Sequence, residues 1–160
     1  MCRFDGKFFS WLYENHLTEI EGGGSFGIRS ILEDKDGKFW ICNTRYRYTI
    51  YQDDLLDKHN GLINYKREVG IENLKSPDGT DLIYFMSIIQ DQKYNLWMAS
   101  YNLGVWRFDG KNIIHYPVKD GSKDVKLFTI YKDNYGDLWL GTHEAGAYKF
   151  NGKTFEKFKP

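Results

Sequence analysis

The apolar positions of this chain fall in short runs separated by turn-forming residues. Some alternate with polar positions, and others are continuous, as in Phe85-Met86-Ser87-Ile88-Ile89. Alternation is the pattern of a half-buried strand, and a short continuous run that of a strand covered on both faces. Asp5-Gly6, Asp109-Gly110 and Asn151-Gly152 are dipeptides that accept positive φ at both centres of a two-residue hairpin loop. The pattern therefore predicts antiparallel hairpins. Strands are expected near Cys2 to Phe4 and Phe8 to Leu12. A first group of four lies near Ile28 to Glu33, Phe39 to Asn43, Tyr48 to Gln52 and Leu62 to Tyr65. A second lies near Tyr84 to Gln90, Leu96 to Ser100, Val105 to Phe108 and Ile113 to Tyr116. A third lies near Leu127 to Lys132, Leu138 to Thr142, Ala147 to Phe150 and Phe155 to Phe158.

The grouping reflects an internal repeat. The segments beginning at Ile31, Ile88 and Ile130 align without gaps, with an Asp six positions before Trp40, Trp97 and Trp139 and a small residue (Cys42, Ala99, Gly141) two positions after each. A second block, Val105-Trp106-Arg107-Phe108-Asp109-Gly110-Lys111, matches Ala147-Tyr148-Lys149-Phe150-Asn151-Gly152-Lys153 and also the opening Met1-Cys2-Arg3-Phe4-Asp5-Gly6-Lys7. In the first group Tyr51 takes the place of Phe108 and Phe150, and 52–61 replace the short turn as an enlarged hairpin. Four-stranded repeats of about 42 to 57 residues are the mark of β-propeller blades. The expected fold is all-β, a single domain over 1–160. It holds three complete blades of four antiparallel strands (about 26–66, 84–117 and 126–159) and a remnant at 1–13, the outer hairpin of another blade. Within a blade the strands are named A to D from the inside out. About three and a half blades fall short of the ~4 to 8 that close a ring. The chain is then part of a longer propeller, a four-bladed ring with a defective blade, or a unit completed by an oligomer through its open blade edges. The segments 13–27 and 66–82 read as connections from a D strand to the next A strand.

Composition supports strands. Among 160 residues there are 5 Trp, 12 Tyr and 11 Phe, and only Ala99, Ala145 and Ala147 supply the best helix former. With 22 basic and 22 acidic side chains the chain lacks the basic excess that nucleic-acid or anionic-membrane binding draws on. No apolar run approaches the ~20 residues of a membrane helix, so no membrane insertion of this segment is expected.

The pattern D-x-x-G-x-L/F-W-x-G/A/C, followed by a strand ending R/K-F-D/N-G-K, resembles the two-component regulator propeller repeat. The resemblance implies a sensor or interaction scaffold without chemistry of its own, as in the sensor regions of bacterial hybrid histidine kinases. It also implies a periplasmic location if the chain is part of such a kinase; if Met1 is the true start, a cytoplasmic one follows.

In a propeller the B–C loops and D–A connections share one rim. That places Arg45, Tyr46, Arg47, Tyr101, Asn102, His143 and Glu144 around the axial opening. Arginine forks beside aromatics suit a small anionic or carbohydrate ligand; the plainer reading is solvated loop residues. His143 beside Glu144 is an acid/base pair that a lyase or hydrolase could use. Asp34-x-Asp36-Gly37 and Asp133-Asn134-x-Gly136-Asp137 superficially resemble calcium loops but read as turn chemistry, and no metal or cofactor is expected. Trp40, Trp97 and Trp139 read as inter-blade packing, while Trp11 and Trp106 are the better candidates for exposed contacts. His16, His59 and His115 read as packing or surface residues, and Cys2 and Cys42 as free thiols.

Overall fold

The computed structural model describes residues 1–17, 27–41, 45–51, 61–79, 83 and 85–159. Three four-stranded antiparallel sheets follow one another along the chain. Blade 1 is β3 (Ile31–Glu33), β4 (Lys38–Ile41), β5 (Tyr46–Ile50) and β6 (Tyr65–Val69). Blade 2 is β7 (Phe85–Gln90), β8 (Leu96–Ser100), β9 (Gly104–Phe108) and β10 (Ile113–Tyr116). After a small hairpin, β11 (Lys119–Asp120) and β12 (Lys123–Asp124), comes blade 3: β13 (Leu127–Lys132), β14 (Leu138–Thr142), β15 (Ala147–Phe150) and β16 (Phe155–Lys157). In each sheet the order in space is the order in sequence, as in a propeller blade. The N-terminal hairpin is β1 (Cys2–Phe4) with β2 (Phe9–Trp11), followed by a 3-10 turn over Asn15–Leu17. Among the described residues no helix is long and apolar enough to cross a membrane.

The hairpin is held by more than its own pair. The Trp11 amide donates to the Gly61 carbonyl at 2.7 Å, and the Ile63 amide donates to Trp11 O at 2.7 Å. Residues 61–63 thus lie parallel on the β2 edge, so what was expected as strand D of blade 1 (Leu62 to Tyr65) begins as a strap on the preceding hairpin. The true strand D starts where that expectation ended, at Tyr65.

Strand C of blade 1 is also displaced. Trp40 pairs with Arg47 and Phe39 with Tyr48, whereas Trp97 pairs with Arg107 and Trp139 with Lys149. The B–C connection of blade 1 is three residues shorter than the other two. Tyr48, not Tyr51, therefore takes the place of Phe108 and Phe150. The enlarged hairpin at 52–61 lies outside the described residues except for Gly61.

The C–D turns were expected to carry positive φ at both centres. Instead the centres are Gly-Lys, and only the glycines are left-handed, with φ of +99, +93 and +94 at Gly6, Gly110 and Gly152. The residue before each glycine stays in ordinary backbone and caps the turn. Asp5 Oδ1 accepts the amides of Lys7 and Phe8, Asp109 those of Lys111 and Asn112, and Asn151 those of Lys153 and Thr154.

Two apolar clusters form the core. One joins Leu12, Leu17, Trp40, Ile41, Tyr48, Ile88, Met98 and Trp106 across the hairpin, blade 1 and blade 2. The other joins Trp97, Ala99, Val105, Leu127, Ile130, Leu140, Tyr148 and Phe155 across blades 2 and 3. Blade 2 belongs to both.

Candidate functional site

The repeated Asp and Trp act together. Trp40 Nε1 donates to Asp34 Oδ2 at 2.7 Å, Trp97 to Asp91 at 2.8 Å and Trp139 to Asp133 at 2.9 Å. The other carboxylate oxygen accepts two amides of the A–B turn, for example Lys93 and Asn95 on Asp91 Oδ1. One carboxylate thus ties the turn to the indole six residues on. These acids are spent on the blade, and among the described residues no group of three or more metal-ligating side chains gathers. The sequence showed the spacing and the turn chemistry separately; the indole bond joining them was missed.

The first of the three expected loops is shorter than expected. Tyr46 and Arg47 lie within β5, because the B–C connection of blade 1 is short. The Arg47 guanidinium sits 5.9 Å over the Trp40 ring, and its Nε lies 3.8 Å from Glu68. Tyr46 is flanked by His16, at 5.1 Å between rings, and by the Arg67 guanidinium at 4.6 Å. Arg45 precedes the strand, and its carbonyl accepts the Gly70 amide. Arg45 and Tyr46 thus stand at the B–C end of strand C in blade 1, with Arg47 one position further in.

The other two loops do converge. Leu127 N–H donates to Tyr101 O at 2.8 Å, and His143 N–H to Lys126 O at 2.9 Å. The start of β13 is therefore held between the B–C turns of blades 2 and 3. The rings follow the backbone: Tyr101 lies 5.9 Å from Phe128, and Phe128 lies 5.4 Å from His143. Lys126 Nζ stands 5.9 Å over the Tyr101 ring. Thr142 closes its turn by donating to Gly146 O and accepting from Ala145 N–H. His143 Nδ1 meets Glu144 Oε1 at 2.9 Å, with the Glu144 side chain 82% exposed. Asn102 sits in the blade 2 turn.

Beside this row lies a groove of about 370 Å³ lined by Asp120, Lys123, Asp124, Lys126, His143 and Lys157, among others. The β11–β12 hairpin, which the repeat pattern did not predict, supplies Asp120, Lys123 and Asp124 to its wall. Two groove carboxylates carry a lysine, Lys157 on Asp120 at 2.7 Å and Lys119 on Asp124 at 3.7 Å, and the Glu144 carboxylate meets the His143 ring. Lys157 holds the Asp120 carboxyl below its ordinary value, and Asp120 in turn raises the Lys157 ammonium. Three lysines (Lys123, Lys126 and Lys157) and three carboxylates (Asp120, Asp124 and Glu144) line the groove; Lys123 and Lys126 take no part in these ion pairs, and an exposed Phe128 stands beside His143. A second cavity, about 470 Å³, lies on the seam of hairpin and blade 1 between Met1, Arg3, Ile31, Phe39 and Ile50.

Elsewhere, Trp106 is a correction. It is buried against Phe85 and His115, at 5.6 and 4.3 Å between rings, because strand C lies between B and D. Trp11 is exposed. His115 bonds the Leu103 carbonyl at 2.6 Å and is a packing residue. Cys2 is an exposed free thiol; Cys42 and His59 lie outside the described residues.

Residues 24–45 and 121–144 match the family model described as two component regulator propeller. The second match spans β12, β13 and β14. No curated protein matches the chain. Two solved structures of the extracellular domain of BT4673 from B. thetaiotaomicron are similar. In the one described as a proposed one component system the identity is 18%, covering 78% of this chain and 15% of that one, with a TM-score of 0.47. In the one described as a proposed hybrid two component system the values are 17%, 78%, 16% and 0.48. PorZ, described as an essential surface component of the type-IX secretion system of Porphyromonas gingivalis, is 12% identical, covering 82% of this chain and 21% of that one, with a TM-score of 0.54. The chain thus spans about a fifth or less of these neighbours, and the likeness to PorZ is one of fold.

Proposed function

We propose that this chain, which carries two-component regulator propeller repeats, is a non-catalytic ligand-sensing or protein-interaction module. We place its ligand site in the groove between the β11–β12 hairpin and the B–C turn of blade 3. The observation that carries the reading is the convergence of Tyr101, Phe128 and His143 in one row beside Lys123, Lys126 and Lys157. An aromatic ledge offers a flat apolar surface to a sugar ring, and ammonium groups offer charge to a carboxylate or sulfate. An acidic carbohydrate uses both.

The test is calorimetric titration with defined acidic oligosaccharides, oligogalacturonate and a sulfated disaccharide, beside their neutral counterparts. Binding of an acidic probe should weaken at least about tenfold in Lys126→Ala and in Phe128→Ala, a loss of roughly 1.4 kcal/mol each. The His143–Glu144 bond keeps one other reading in view, a lyase or hydrolase. Product formed from any probe, and lost in His143→Ala, would replace sensing by catalysis. Equal binding by parent and variants would move the site elsewhere.

A further inference from the structure

The chain already contains one complete interface between blades, and its terms can be read residue by residue. Trp97 of β8, with Tyr116 just outside it at 5.4 Å, faces Phe150 and Phe155 of blade 3, at 5.0 and 6.1 Å from the indole. This contact leaves Trp97 2% and Phe155 4% exposed.

Each half of that interface recurs once without its counterpart. In blade 3 the equivalent of Trp97 is Trp139, and Phe158 stands 5.2 Å from it in the place of Tyr116. Phe158 is 49% exposed. In the hairpin, Phe4 and Phe9 pair across β1 and β2 as Phe150 and Phe155 pair across β15 and β16. They stack at 4.7 Å and are 57% and 60% exposed, with Trp11 continuing the stack at 6.5 Å. The opposite side of the hairpin, with Ser10 and Leu12, is buried in the molecule. The exposed side is therefore the one that in blade 3 receives the preceding blade's tryptophan.

From this we infer that a second copy of the chain docks head to tail. The Trp139–Phe158 face of blade 3 in one copy seats on the Phe4–Phe9–Trp11 face of the hairpin in the next, repeating the contact of blade 2 with blade 3. The two faces differ, so the contact is heterologous and each copy keeps one face to offer. Together the exposed Phe4, Phe9, Trp11 and Phe158 present roughly 400 Å² of uncovered ring surface, taking about 150–250 Å² per whole side chain. That is small beside a standard interface, and association in the micromolar range follows. The inference does not use the ligand groove.

The test uses the 160-residue chain and two variants at exposed positions, Phe9→Glu and Phe158→Glu, each checked for native circular dichroism. Sedimentation velocity of the parent should show a weight-average mass that climbs with concentration between about 1 and 500 μM. Either variant alone should lose at least about tenfold in association. Mixed together, the two should recover a 1:1 dimer and nothing larger, because each retains the face that the other lacks. A parent that stays monomeric throughout, variants that associate like the parent, or a mixture that stays monomeric would each overturn the inference.

Discussion

Tyr94 stands where blades 1 and 3 place Gly37 and Gly136, and it adopts their left-handed backbone, with φ of +64. A side chain there costs about 1–2 kcal/mol. Against this stand the Lys35 ammonium 5.7 Å over its ring and the wider backbone freedom a glycine would have in the unfolded chain. The balance favours glycine: Tyr94→Gly should raise stability by up to about 1 kcal/mol. A β-branched Tyr94→Val should lower it, both read from urea denaturation. Three positions earlier, the Asp91 carboxylate accepts Trp97 Nε1, the Asn95 side chain and two amides. Burial pushes its carboxyl up, but those donors outweigh it and hold the acid below its ordinary value of 3.8. Asp133 is held low by Trp139 in the same way. A folded-state value below the unfolded one gives stability that is present above about pH 4 and is lost as pH falls through the folded value. The urea midpoint should accordingly be level from about pH 7 to 5 and drop below about 4. Asp91→Ala should cost about 2–3 kcal/mol at neutral pH, since it leaves a buried indole N–H unmet, and should flatten the acid limb.

At the scale of elements, Glu14 joins the N-terminal segment to strand D of blade 1. It accepts from Tyr65 Oη at 2.7 Å, from the His16 amide at 3.2 Å and from Arg67 at 3.4 Å. Burial pushes the Glu14 carboxyl up, and the Tyr65 hydroxyl and the other donors more than reverse this. Glu14→Ala should cost about 1–2 kcal/mol and speed hydrogen exchange at the Trp11 and Ile63 amides, while the β14 amides stay as they were. A uniform change across blades would show that Glu14 acts on the whole fold rather than on this joint. The joint also shows where sequence reading stops. Blades 2 and 3 were legible nearly strand for strand, because the spacing from Trp97 to Phe108 equals that from Trp139 to Phe150 and both copies fold alike. Blade 1 was not, because repeat spacing was carried over to a B–C connection three residues shorter. Alternation inside the segment held the signal: Tyr46, Tyr48 and Ile50 share one face, and only Tyr48 is fully buried. The same slip put Tyr46 and Arg47 in a loop. The Tyr101–Phe128–His143 row could be only half seen, since Phe128 reaches the rim through hydrogen bonds from Leu127 to Tyr101 and from His143 to Lys126 that span 26 and 17 positions. No local pattern announces such bonds.

For the whole molecule, the two core clusters meet in blade 2, and the large apolar side chain that blade 2 packs on blade 3 is Trp97. It belongs to β8, a strand buried at every position, yet it packs with blade 3 through Phe150 and Phe155. Arrays of repeats hold together through such nearest-neighbour terms, and their cooperativity fails where one term is weakened. Replacing Trp97 by alanine removes the ring from Phe150, Phe155 and Tyr116 at once and leaves a cavity, at about 3–5 kcal/mol. Most of that loss falls on the junction. Blade 3 keeps Leu127, Ile130, Leu140 and Tyr148 buried and its own Asp133–Trp139 bond, so it remains a folded unit with a weaker hold on its neighbour. The parent chain should unfold in urea in one transition by every probe. Trp97→Ala should unfold in two, with exchange of the β13 to β16 amides preceding that of β7 to β9. Coincident transitions in the variant would show that the β7–β13 inner-strand contact, with the Ser87 hydroxyl on the Ile130 carbonyl at 3.4 Å, carries the coupling instead.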